Sequence, residues 1–65
     1  MTLTDRQRQV AELAAKGCSD REIGRALGIS RDTVRAHIFA IAQKIPNPLG
    51  LPQKAAVRAW FFSAA

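Results

Sequence analysis

Arg35, Ala36 and Phe39 fall within one turn and a half of a chain in which cations outnumber anions ten to five. Each of the three residue types suits one way of meeting the edge of a base pair. A guanidinium makes two parallel hydrogen bonds to guanine O6 and N7, and a methyl or an aromatic ring packs on the methyl group of thymine. At 100° per residue Asp32 and Gln43 join them, opposite the apolar set Val34, Ile38 and Ile41. Phe39 is then a large ring with no core to enter. It is suited to a groove, to folding sideways onto a following helix, or to a partner chain.

A second group of residues fits phosphate. Ser19 and Ser30 are each placed to start a helix, where free backbone amides and the positive end of the dipole attract anions. Arg21, Arg31 and Thr33 lie in those first turns, and an arginine there is better explained by a nearby phosphate than by the helix itself. Asp20, Glu22 and Asp32 follow the ordinary preference for acids. Lys44 sits at a helix C-terminus, where the dipole already favours a cation. His37 borders the apolar stripe, and a packed histidine and a phosphate contact are equally compatible with that place. The net charge of +5 favours a polyanionic partner, with nucleic acid foremost.

Catalysis is not expected. There is no carboxylate pair, no nucleophile beside a base and no glycine-rich phosphate loop. A single cysteine, Cys18, with the single histidine, His37, supplies neither a disulfide nor a structural zinc site. No metal and no cofactor are therefore expected.

The elements that must hold these residues are helices, and the expected class is all-α with four of them, over about 4–16, 19–27, 30–45 and 52–62. Thr4-Asp5-Arg6-Gln7 and Ser19-Asp20-Arg21-Glu22 are capping boxes. Val10, Leu13, Ala14 and Gly17 share a face of the first helix, with Leu3 at its entry. Ile23, Ala26 and Leu27 are the expected buried face of the second. Gly17 and Gly28 end these helices. Val34, Ile38, Ile41, Ala42 and Ile45 make the stripe of the third, stopped by Pro46 and Pro48. Pro52 suits the first turn of a fourth helix with Ala56, Val57, Trp60 and Phe61 on one face. The spacing of a short helix, a tight turn at Gly28-Ile29 and a longer helix points to a helix-turn-helix, the alternative being a generic bundle. Gly24 in mid-helix suggests that another helix passes close by.

All 65 residues are expected to form one domain, 1–65, too small to be stable without good helix packing or self-association. A hydrophobic fraction of 48% excludes a disordered tail. No stretch approaches the roughly 20 apolar residues of a membrane span. No signal peptide is visible, and a lone thiol favours a cytoplasmic setting.

The residues Leu3-Thr4, Arg6, Val10, Gly17-x-Ser19-x-x-Glu22-Ile23, Leu27-Gly28-Ile29-Ser30-x-x-Thr33-Val34-Arg35-x-His37, Ile41 and Lys44-Ile45 resemble the LuxR-type (GerE-like) DNA-binding domain of bacterial transcription regulators. The resemblance runs from Leu3 to Ile45 and resumes around Ala56-Val57. It implies a four-helix fold whose third helix reads the major groove of double-stranded DNA, as a symmetric homodimer. By position, the base-reading residues match Arg35, Ala36 and Phe39, with Asp32 on the same face. The backbone-contacting positions match Ser30, Thr33, His37 and Lys44, to which the helix-end argument adds Ser19, Arg21 and Arg31. The dimer contacts match Val57, Arg58, Trp60 and Phe61. RNA polymerase or another regulator is a further partner of such a domain.

Three departures stand out. The loop Pro46–Pro52 is longer and richer in proline than the family's connector, Phe39 replaces a residue that is often polar, and Cys18 one that is often larger. The chain is expected to be a minimal regulator, nucleoid-associated or phage-encoded, or the C-terminus of a larger one. The expected function is sequence-specific binding of a palindromic site in transcription regulation. Two alternatives stay open: a module that pairs with and inhibits another regulator, and a DNA-packaging adaptor.

Overall fold

A computed structural model describes residues 3–64, and so stops short of the expected domain bounds at 1 and 65. Its four helices are α1 (Asp5–Ala15), α2 (Asp20–Leu27), α3 (Arg31–Lys44) and α4 (Gln53–Ala64), with no strand among the described residues.

Each boundary has a local cause. Thr4 caps α1: its Oγ1 accepts from the Gln7 amide at 3.1 Å, and the Gln7 side chain accepts from the Thr4 amide at 3.0 Å. Ser19 and Glu22 repeat the arrangement on α2, at 3.1 and 2.8 Å. Past α1, the Cys18 amide donates back to Leu13 and the Gly17 amide to Ala14, a Schellman closure that needs the φ of +93° that Gly17 supplies. Gly28, at φ +70°, reverses the chain between α2 and α3, and the Ile29 amide donates to the Gly24 carbonyl at 2.9 Å. Ser30 caps α3 through the Thr33 amide. Ile45, extended ahead of Pro46, ends it.

The loop before α4 is closed on itself rather than slack. Asn47 bridges it, its amide nitrogen donating to the Leu51 carbonyl at 2.8 Å and its Oδ1 accepting from the Leu51 amide at 2.9 Å. Pro52 precedes the first helical residue instead of being it, and its carbonyl accepts the first helical bond, from Ala56.

The core lies where α1, α3 and α4 meet. Val10 and Ala14 of α1, Val34 and Ile41 of α3 and Val57 of α4 are buried together, with Ile23 bringing in α2. α3 touches all three other helices, whereas α2 and α4 do not pack on each other. α2 is thus held from one side, against α3 and α1, and the Arg6 guanidinium ties its last carbonyl, on Leu27, to the start of α1 at 3.2 Å.

One expectation about α2 needs correction. Ala26 is exposed, and Gly24 is buried in its place. The buried face is centred between Ile23, Gly24 and Leu27, which leaves Ala26 about 100° around the helix. The helix expected close to Gly24 is α3, which approaches it with its first residue and the turn before it. A Cβ there would stand 2.6 Å from the Ile29 carbonyl oxygen and 3.6 Å from the Arg31 nitrogen.

Candidate nucleic-acid interface

The short α2 and the Gly28 turn present α3 with one side packed and the other bare. Val34, Ile38 and Ile41 point inward and are buried. Asp32, Arg35, Ala36, Phe39 and Gln43 are all exposed on the opposite side. Phe39 keeps 53% of its surface exposed, so its ring is folded into neither the core nor α4. Arg35, Ala36 and Phe39 therefore form one accessible face, one and a half turns long, ready to meet a flat or grooved partner.

The caps spend part of the polar surface expected for phosphate. Ser19 Oγ accepts from Glu22, and Ser30 Oγ accepts from Thr33 while lying 2.8 Å from the Thr33 hydroxyl. Ser19, Ser30 and Thr33 nevertheless remain exposed, as do Arg21 and Arg31 in the adjoining first turns. His37 is half-buried at the edge of the stripe. Acceptance of the Ser19 amide by the Glu22 carboxylate, followed by the Ser19 side-chain bond, lowers the Glu22 pKa from its ordinary 4.5 and keeps that group charged.

Lys44 is the last residue of α3. Its ammonium donates to Gln7 Oε1 at 2.9 Å, linking the end of α3 to the capping box that starts α1. It also stands roughly 20 Å along the helix from Ser30. Through its bond to Gln7, Lys44 joins two helix ends while its side chain stays exposed.

Two residues of consequence were not singled out for the site from the sequence. Asp20, which opens α2, places its Oδ2 3.5 Å from Arg35 Nε and its Oδ1 3.1 Å from Lys54 Nζ on α4. No linear spacing links these three residues, since they come from three helices. Only their shared charge complementarity offered a signal.

The face of α4 expected to pair is divided by the structure. Val57 is fully buried in the core and has no surface to offer a partner, which corrects its assignment as a dimer contact. Trp60 and Phe61 are half-buried against that core. Arg58 is exposed, and so are two residues not anticipated, Phe62 at 66% and Leu49 at 80%. Between the loop and α4, Leu49, Leu51, Ala59 and Trp60 line an apolar groove. Among the described residues no three His, Cys, Asp or Glu side chains gather as a metal site, and no helix is long and apolar enough to cross a membrane.

Comparison with known proteins bears on this arrangement. The family model described as "GerE: Bacterial regulatory proteins, luxR family" matches residues 1–47, that is, α1 to α3 and the start of the loop. The chain is similar to the putative HTH-type transcriptional regulator YhjB of Escherichia coli (strain K12), with 43% identity over 44 residues, 68% of this chain and 22% of that protein. It is also similar to the transcriptional regulatory protein DesR of Bacillus subtilis (strain 168), with 36% identity over 61 residues, 91% of this chain and 31% of that protein. The chain thus spans less than a third of the length of these curated relatives. No solved structure matches it.

Proposed function

The chain belongs to the luxR family of bacterial regulatory proteins, as a DNA-binding helix-turn-helix of transcription regulation, and from that premise we propose how it reads DNA. α3 enters the major groove with Arg35 on a guanine and with Ala36 and Phe39 on neighbouring base edges; Asp32 lies at the rim of the contact. Ser19, Arg21, Ser30, Arg31 and Thr33 approach the phosphates on either side, with His37 at the border. The observation that carries this reading is the bare face of α3, where Arg35, Ala36 and Phe39 are exposed together directly after the Gly28 turn.

One such domain covers a short half-site and has limited specific affinity. Two copies on half-sites about one helical turn apart supply the rest, so the site is palindromic and the protein binds it as a homodimer. Pairing is supported by the apolar surface of Phe62, Trp60 and Phe61 on α4, with Arg58 beside it. The whole of 1–65 acts as one domain in this reading.

Selection from a random pool of double-stranded DNA tests the proposal as a whole. A palindromic consensus with half-sites one turn apart is the expected result, and recovery of no consensus rules out sequence-specific reading. The exposed ring of Phe39 favours a second reading, in which the same face docks on a protein such as another regulator. That reading predicts no measurable affinity for any duplex.

A further inference from the structure

We propose that Asp20 is a positioning residue for the base contact of Arg35, its carboxylate setting the direction in which the guanidinium leaves α3. The proposal rests on the reading of Arg35 as a base-contacting residue. Asp20 is the first residue of α2, where the helix dipole favours a carboxylate and the Ser19 capping box holds the backbone. Its Oδ2 faces Arg35 Nε at 3.5 Å, and its Oδ1 faces Lys54 Nζ at 3.1 Å. Oδ1 is sealed from solvent and has no hydrogen bond of good geometry, so the Lys54 ammonium is what compensates its charge. Since α2 and α4 do not pack on each other, this side-chain bridge spans them across a hollow lined also by Ile38 and Gln53.

An ion pair of this kind adds little to stability, because the Arg35 side chain is 66% exposed and well solvated. Its consequence is geometric. Arginine carries one N–H on Nε and four on the Nη atoms. With Nε turned toward Asp20, the Nη groups remain for a base. A side chain biased toward one direction also loses less rotamer freedom when it docks. Lys54 holds the carboxylate from the opposite side, so the aim of an α3 residue is set by α2 and α4.

Charge alone would act differently. A carboxylate near phosphates weakens binding to every sequence alike, and its removal strengthens binding to every sequence alike. Positioning acts on a single base pair. The test measures discrimination at each base pair of a duplex selected from a random double-stranded pool, at one salt concentration, for the parent chain, Asp20→Asn, Arg35→Ala and the double variant.

Asp20→Asn is expected to lower discrimination roughly threefold or more at the base pair that Arg35→Ala affects, with non-specific affinity equal or higher. In the Arg35→Ala background the same change leaves that base pair unaltered. If Arg35→Ala changes no base preference, it is the reading of Arg35 that fails. If Arg35→Ala does so while Asp20→Asn leaves the preference intact or sharper, the positioning role is overturned. A measurement on the parent chain guards against a variant that does not fold. The Arg35 side chain should sample fewer rotamers, read from NMR side-chain couplings, than the exposed Arg21 and Arg31, and equal averaging overturns the positioning role.

Discussion

Glu22 closes the cap of α2 by accepting the Ser19 amide at 2.8 Å, and that bond lowers its pKa from the ordinary 4.5. A carboxyl whose folded pKa is depressed contributes stability above the unfolded value. That contribution is lost as pH falls through the folded one. The stability of the chain should therefore decline on acidification below about pH 4.5. Glu22→Gln, which keeps an acceptor for the cap but carries no charge, should flatten this decline in denaturant melts. An unchanged acid limb would assign it to other carboxylates. At the reading face, Arg35→Ala should cost about 1–3 kcal/mol on a selected site and relax preference at one base pair. Titration of each base-pair variant checks both effects, and uniform weakening across all sequences would make Arg35 a phosphate contact instead.

The helix-turn-helix depends on how closely α2 meets the start of α3. At Gly24 the neighbour is backbone, the Ile29 carbonyl oxygen, 2.6 Å from where a Cβ would stand, so a methyl there has nowhere to go unless the turn moves. Gly24→Ala should destabilise the fold by about 1–3 kcal/mol and weaken DNA binding further, because the displaced turn carries α3 with it. Gly28 has open space around it and a φ of +70°, so alanine meets backbone strain there without a collision. Gly28→Ala should cost about 1–2 kcal/mol and Gly28→Asn less, since asparagine tolerates the left-handed region. Chemical denaturation of the three variants tests this order. Equal loss at Gly28 from alanine and asparagine would contradict the assignment to backbone strain.

At the scale of the molecule, α4 divides its apolar residues between the core and the surface. Val57 is spent inside, Trp60 and Phe61 lean on the core, and Phe62 faces out. Phe62→Ala should therefore reduce self-association with little change in melting, whereas Trp60→Ala should lower both. Sedimentation over a concentration series would separate them, and a parent chain that stays monomeric throughout would leave Phe62 without a partner copy. The +5 charge gives binding to duplex DNA a steep salt dependence, with log K falling against log salt by about 0.9 per phosphate contacted. Removing Arg31, exposed in the first turn of α3, should reduce that slope by about one contact if it meets a phosphate.

The four helices, their caps at Thr4, Ser19 and Ser30 and the turn at Gly28 follow from the sequence alone, because they depend on residues a few positions apart. The outward side of α3 follows as well, since helical periodicity separates Arg35, Ala36 and Phe39 from Val34, Ile38 and Ile41. Periodicity does not settle how deeply a helix is covered when its neighbours arrive from distant parts of the chain. For that reason Ala26 lies outside, Val57 inside, and Lys44 on Gln7. Only the tertiary structure brought Asp20 of α2 and Lys54 of α4 to the base of Arg35, because an ion pair across three helices exists only once their packing has fixed the distances.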